Sequence, residues 1–306
     1  MGSPYDHLPS RAFWRSGVAL QPPEAIEALF VPKFAVGPDT RIVTAGGGLS
    51  QHLHRALANR GWTVTEAEPA PEERRDAEAR DRELSPACDD SADSLRHMLR
   101  RLREATGEIA PAGPVRHRDG RAGAPQPPNR SPAGGDSPET MRPAQADHLA
   151  ALRGALADAD LFVLTLGPAA MPEHGTAGDG PAAPAERAPT LPELRADLAA
   201  LRALLTTLRP GIRLLLMLSP VPPAAAADME RLSAATHATS VLRAAAGEFA
   251  AAHEDVDYAP AFELLTGPAA GNRLYDPDLR RLTPAGISAA TRMVLTAYET
   301  IGAGPA

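Results

Sequence analysis

The sequence predicts an α/β protein, a parallel sheet of about five strands covered by helices on both faces. Three observations lead there. Short apolar runs bounded by turn residues recur along the chain; the strongest of them are apolar at nearly every position, as strands buried on both faces must be; and helical stretches separate them, the alternation expected of a parallel sheet.

Taken in order, Arg41 to Ala45 is the first strand and Thr63 to Glu66 a weaker second. Asp160 to Leu166 (DLFVLTL) and Arg213 to Ser219 (RLLLMLS) are strong, and Val256 to Tyr258 is a short fifth. Helices are expected over Ser50 to Asn59, Ser94 to Ala105, Ala146 to Ala157, Leu191 to Leu208, Asp228 to Ala252 and Pro284 to Thr300. In the fourth of these, Leu194, Leu198, Leu201, Leu205 and Leu208 mark one apolar face. Two stretches, 110–145 and 168–189, are rich in Pro and Gly and read as long flexible inserts. Within the first, Gly113 to Ala144 is expected to hold no stable secondary structure. The second follows a strand end directly, so it reads either as a lid over the crevice or as drift in a tolerant loop. No internal repeat is visible, and residues 1–306 read as one domain.

Composition narrows the function. Of the 306 residues 43% are hydrophobic, enough for a real core. The net charge of −7 argues against a general nucleic-acid binder, which needs clustered positive charge. Lys33 is the only lysine, and the arginines are interspersed with acids, as in Glu72-Glu73-Arg74-Arg75-Asp76, a solvated surface pattern. Cys88 is alone, which removes internal disulfides and multi-cysteine metal sites; no cofactor is expected. Met1 to Ser10 lacks the apolar core of a secretory signal, and no apolar run approaches the length of a membrane span. A cytoplasmic protein without a membrane partner is the expectation.

The sharpest local feature is Thr44-Ala45-Gly46-Gly47-Gly48-Leu49-Ser50-Gln51-His52, where a strand ends, three glycines turn and a helix begins. Helix N-termini present unpaired N–H groups and partial positive charge, so this is a natural anion or oxyanion site. No Gly-Lys-Ser/Thr follows, which excludes a P-loop. Gly46 and Gly48 supply a G-x-G, but Gln51 occupies the third dinucleotide-fingerprint position. Ser50 reads as the helix N-cap. It shares a helix face with His54, so Ser50 and His54 are also the pair to consider as nucleophile and base. Ser219, at a strand end before Pro220, reads as a satisfied polar group at the crevice edge. Glu173 and His174 read as solvent-exposed, and His97 and Cys88 show no catalytic spacing.

These residues resemble the GSCFA family of SGNH-hydrolase-like proteins. Phe13-Trp14-Arg15-Ser16 and Pro32-Lys33-Phe34 are similar to its opening motifs. Thr44-Ala45-Gly46 and Gln51-His52 match the two ends of its signature, T-A-G-S-C-F-A-Q-H. Thr165-Leu166-Gly167, Ser219-Pro220-Val221-Pro222, Ser240-Val241-Leu242-Arg243-Ala244, and Val256-Asp257-Tyr258 with Glu263 follow in the family's order, so the resemblance runs from about Phe13 to Val294. It implies a three-layer, flavodoxin-like fold and an ancestral ester hydrolysis or acyl transfer on carbohydrate or another acylated substrate.

The departures fall on reactive positions. Gly47 stands where the family has its nucleophilic Ser, and Gly48 where it has Cys. Pro168-Ala169-Ala170 replaces Leu-Thr-Glu, Pro223-Ala224-Ala225 replaces a Leu-Thr segment, Thr239 replaces Lys and Ala261 replaces Ser. Ser85 to Asp90 lacks the Gly and Asn of the corresponding stretch. Related hydrolases end on Asp-x-x-His; the counterpart here is Asp278-Leu279-Arg280-Arg281, and arginine is never a base at ordinary pH. The resemblance therefore implies a degenerate copy that holds a small anionic or acylated ligand over Gly46, Gly47, Gly48, Gln51 and His52, or a protein partner whose identity the sequence leaves open. The alternative is an active hydrolase with relocated residues.

Overall fold

A run apolar on both faces has no side to offer water, so it belongs inside a sheet. A computed structural model of the chain describes residues 5, 7–26, 29–65, 94–111, 115–116, 122–123, 138–167, 189–221, 231–279 and 281–302. Its strands are β1 (Ile42–Gly46), β2 (Val115–Arg116), β3 (Ala122–Gly123), β4 (Leu161–Leu166), β5 (Arg213–Leu218) and β6 (Val256–Tyr258). The helices are α1 (Gly48–Asn59), α2 (Leu95–Thr106), α3 (Pro138–Asp158), α4 (Leu191–Leu208), α5 (Arg231–Ala252), α6 (Ala261–Thr266) and α7 (Pro284–Gly302).

The main sheet has four strands in the order β1-β4-β5-β6, and all three pairings are parallel. Ile42 lies opposite Leu161, Gly46 opposite Thr165, Leu161 opposite Arg213 and Leu214 opposite Val256. Val64 adds one parallel bridge outside Ile42, which is all that remains of the expected strand from Thr63 within the described residues. The chain thus turns to one side of β1 at Val64 and then crosses to the other side at β4. That reversal puts the switch point, where open α/β sheets form their ligand crevice, at the carboxyl ends of β1 and β4.

Alternation along the strands divides the core in two. Val43, Ala45, Phe162, Leu164, Leu166, Leu214, Leu216 and Leu218 face α2, α3, α4 and α5. Ile42, Leu161, Val163, Leu215 and Met217 face α1, α6 and α7. The result is the three-layer arrangement. None of the helices, searched over the described residues, is long and apolar enough to cross a membrane.

Polar clamps hold the amino end of the sheet. Asp160, just before β4, accepts from the Arg41 backbone N–H (3.1 Å), from Arg41 Nε (3.0 Å) and Nη2 (2.9 Å), and from Arg209 Nη2 (3.0 Å). These arginines hold the Asp160 carboxyl well below the usual carboxylate range. The extended arm before β1 is fastened by Lys33. Its N–H donates to the Asp257 carboxylate (3.1 Å to Oδ2). Its Nζ donates to the carbonyls of Val256 (2.8 Å), His253 (2.9 Å) and Ala250, capping the carboxyl end of α5. Tyr298 of α7 donates to the same carboxylate at 2.9 Å, and Phe34 stacks on the Tyr298 ring.

Two expectations need correction, and one element was not foreseen. The stretch Gly113 to Ala144 does contain secondary structure: β2 and β3 pair antiparallel, and α3 begins at Pro138 rather than Ala146. Proline supplies a preset φ at a helix start, and the Pro-rich composition hid this. The helix α6 was not expected, because six residues carry too little periodicity. Residues 112–114, 117–121 and 124–137 of the insert, nearly all of 168–189, Arg280 and the positions Ser85 to Asp90 and Pro222 to Ala225 lie outside the described residues.

Candidate functional site

The glycine turn sits where the switch point requires it. Gly46 closes β1 with φ +101°, a conformation L side chains avoid, and a Cβ there would come within 2.0 Å of the Thr165 carbonyl oxygen. Glycine is thus obligatory at 46: it lets β1 lie tight against β4. Gly47 differs. It is the N-cap of α1, with φ −66° and ψ −176°, extended backbone that any residue adopts. Nothing in its backbone conformation demands glycine, and serine is among the preferred residues at an N-cap. Gly47 itself carries no hydroxyl, and the backbone of the turn would accept one.

Gly47, not Ser50, is therefore the N-cap, and the expectation for Ser50 is corrected. Ser50 is the third residue of α1, fully buried, and its hydroxyl donates to the carbonyls of Gly46 and Gly47, both at 2.9 Å. A capping serine accepts from N–H groups; this one donates backwards and fastens the turn. His54 is buried one turn further on, with Nδ1 3.2 Å from the Thr44 hydroxyl. Burial, helped by the charge of Arg55, pushes the imidazole down to about 4. The helix spacing does put Ser50 and His54 on the buried side of α1, yet each is engaged elsewhere. Gln51 is buried and His52 half-buried on the same helix, while Gly48 opens its first turn.

The other strand ends meet the turn. Thr165, opposite Gly46, is fully buried, and its hydroxyl has no hydrogen-bond partner among the described residues. Strand alternation aims it at the α1 layer, the same side as Thr44. Ser219 donates its N–H to Leu166 O (2.7 Å), and its hydroxyl accepts from the Val221 N–H (3.3 Å), the satisfied role expected of it. A hairpin turn before α7 closes the carboxyl end of β5. Tyr275 and Leu282 form its bridge, and Tyr275 donates to Pro220 O at 2.8 Å. Asp278 and Arg281 are exposed in this turn, and the Arg281 carbonyl accepts from the Asp276 N–H (2.9 Å). The turn that carries Asp278 and Arg281 is thus tied to the segment after β5 through Tyr275, and it brings no imidazole.

Sequence reasoning missed two features. One is the Thr165 orphan, visible only once the register is known. The other is a cluster at the β6 end: Tyr258 donates to Glu263 (3.0 Å to Oε2), Arg243 pairs with Glu263, and the guanidinium lies 4.0 Å from the Tyr258 ring centre. Burial and the neighbouring carboxylate push the Tyr258 hydroxyl up. Its members are three of the motif residues singled out in the sequence. Cys88, Glu173 and His174 lie outside the described residues, and no cluster of three metal-ligating side chains occurs among those described.

Comparison with solved structures finds distant neighbours. A GDSL-like lipase from Bacteroides thetaiotaomicron VPI-5482 shares 14% identity at a TM-score of 0.42, covering 86% of this chain and 89% of that one. A family 3 carbohydrate esterase from Clostridium thermocellum shares 12% at 0.41, covering 86% and 96%. Likenesses this faint carry nothing about residues or activity. No curated protein matches the chain. The model of the GSCFA family, by contrast, matches residues 41–293, from the first strand into the last helix, and on that match the chain belongs to the GSCFA family.

Proposed function

We propose that this protein is a GSCFA-family member in which ester hydrolysis has been lost or reduced to a trace, and which retains a site for a small anionic or acylated ligand at the first turn of α1. The observation that carries the proposal is the N-cap at Gly47. It occupies the switch point of the sheet at a helix start, where a nucleophile would be activated and an oxyanion stabilised, and it has no side chain. The nearby hydroxyl of Ser50 is buried and donates to two carbonyls, so it lacks both access and a base. The turn at Asp278 offers Arg281 in place of an imidazole. The orphan Thr165 hydroxyl supports a ligand or water at this end of the sheet, since an unpaired buried hydroxyl costs about 1–3 kcal/mol. The net charge of −7 favours a small molecule or a protein partner over nucleic acid.

The test is aryl-ester turnover by wild type, Gly47→Ser and Ser50→Ala, together with an acetate titration followed by the amide resonances of Gly47 and Gly48. Loss of a triad nucleophile costs on the order of 10⁶ in turnover. Wild type should sit at background, Gly47→Ser should not recover activity for want of a base, and the glycine amides should shift on titration. Robust wild-type turnover abolished in Ser50→Ala would establish an active hydrolase with a relocated nucleophile. Silent amides would remove the ligand site.

A further inference from the structure

The twelve aromatic side chains of the chain, all among the described residues, are distributed unevenly. Nine are buried or half-buried in the body. The three exposed ones, Tyr5 (60%), Phe13 (39%) and Trp14 (63%), lie within ten residues of one another at the amino end. Leu20, six residues beyond Trp14, is exposed at 69%. A chain with so few aromatics gains nothing by leaving these in water.

The segment is built, not frayed. A 3-10 turn (Ser10–Ala12) and a π turn (Arg15–Ala19) fold back on each other. Ser16 donates to Ser10 O at 2.7 Å, and the Gly17 N–H donates to Phe13 O at 2.8 Å. Gly17 is buried, and a Cβ there would meet Arg11 O at 2.8 Å, so the two turns touch backbone to backbone. Val18 packs against the core cluster on the α1, α6 and α7 side of the sheet. Arg11 and Arg15 are exposed on this knob, and from residue 7 to residue 23 the sequence has no carboxylate. This short segment thus combines two exposed arginines with the exposed aromatics and leucine, and no carboxylate, on a chain of net charge −7.

We infer that this knob docks the protein on an anionic lipid surface, with Trp14, Phe13 and Leu20 entering the interface and Arg11 and Arg15 at the headgroups. Indole rings favour that interface, and arginine reaches phosphate while its stem stays in the apolar layer. A sugar would stack on the rings but has no use for an exposed leucine, whereas a bilayer edge takes both. Such contact needs no membrane-spanning segment, so the absence of an apolar run long enough to span does not oppose it. The inference is independent of whether the glycine turn binds a ligand.

The experiment uses the full chain and vesicles of phosphatidylcholine with or without about 30% phosphatidylglycerol. Trp62 is buried at 9%, so Trp14 is the tryptophan whose emission should move to shorter wavelength when the knob inserts. Binding is expected on anionic vesicles, falling about fivefold for each arginine removed in Arg11→Gln and Arg15→Gln and falling with salt. Trp14→Ser with Leu20→Ser should abolish it while thermal unfolding stays as in wild type. Unshifted Trp14 emission and no cosedimentation would overturn the inference. So would equal binding to neutral vesicles, or a concentration-dependent dimer lost in Trp14→Ser with Leu20→Ser and no vesicle binding, which would make the knob an interface between copies.

Discussion

Replacing Gly46 by alanine separates two costs that usually come together. At φ +101° an L residue is strained, by about 1–3 kcal/mol. The new Cβ also falls 2.0 Å from the Thr165 carbonyl oxygen, and that atom is backbone held in the β4 ladder, so relief requires moving a strand. Overpacking of this kind costs about another 1–3 kcal/mol. Stiffening of the unfolded chain returns about 0.4–1 kcal/mol. The net is about 1–6 kcal/mol, a large part of the about 5–15 kcal/mol that holds a domain folded. Gly211 is the control: its φ is +84°, and an added methyl would meet nothing within 4 Å, so Gly211→Ala carries the strain without the clash. Urea unfolding of both variants is the assay, and with a slope of about 1–3 kcal/mol per molar the clash should separate the midpoints by at least roughly 0.3 M. If Gly46→Ala were no less stable than Gly211→Ala, β1 and β4 would not approach at this point, and the geometry of the glycine turn would be wrong.

Gly47→Ser should fold as wild type or a few tenths of a kcal/mol more stably, since serine is the better N-cap and the backbone there is unstrained; unfolding curves would show it. His54, pushed down to about 4 from 6.5, stays neutral in the folded chain while the unfolded chain takes up a proton. Stability is therefore lost as pH falls from about 6.5 to about 4; His54→Gln should flatten that limb, and ring resonances in a pH titration should show a neutral imidazole at about pH 5.5. Asp160 works lower: its carboxyl is depressed, so its contribution is present above about 3.9 and is lost as pH drops further. Asp160→Asn should cost about 1–2 kcal/mol near neutrality and remove that acid limb, read from melting temperature against pH.

How much of this was legible depends on whether the signal was local. Leu161 to Leu166 and Leu214 to Leu218 announced themselves because central strands are apolar on both faces, and their adjacency and parallel sense followed from the helices between them. The strand at Thr63 was overread; one β-branched run at an edge needs only a bridge to satisfy it. Ser50 misled for a related reason. A serine near a helix start is usually a cap, but the cap position is fixed by where the chain leaves β1, and the tight approach of Gly46 to Thr165 moved it three residues back. The Thr165 hydroxyl and the Arg243–Tyr258–Glu263 cluster depend on register and on two helices meeting a strand end, which no spacing along the chain encodes.

The fastening of Lys33 has a practical corollary. Apart from the chain's terminal amine, its Nζ is the sole primary amine available to acylating reagents, and three carbonyls hold its protons. Lys33 is exposed, but its amine is tied to three carbonyls, so acylation there should speed up when the arm lifts from β6 and α5. The rate of labelling at this one position, followed by mass, is therefore a clock for local opening of the amino-terminal arm, with no engineered reporter. Labelling far slower than the denatured chain would report an arm that stays closed between rare openings, and a rate equal to it would mean the arm is open most of the time.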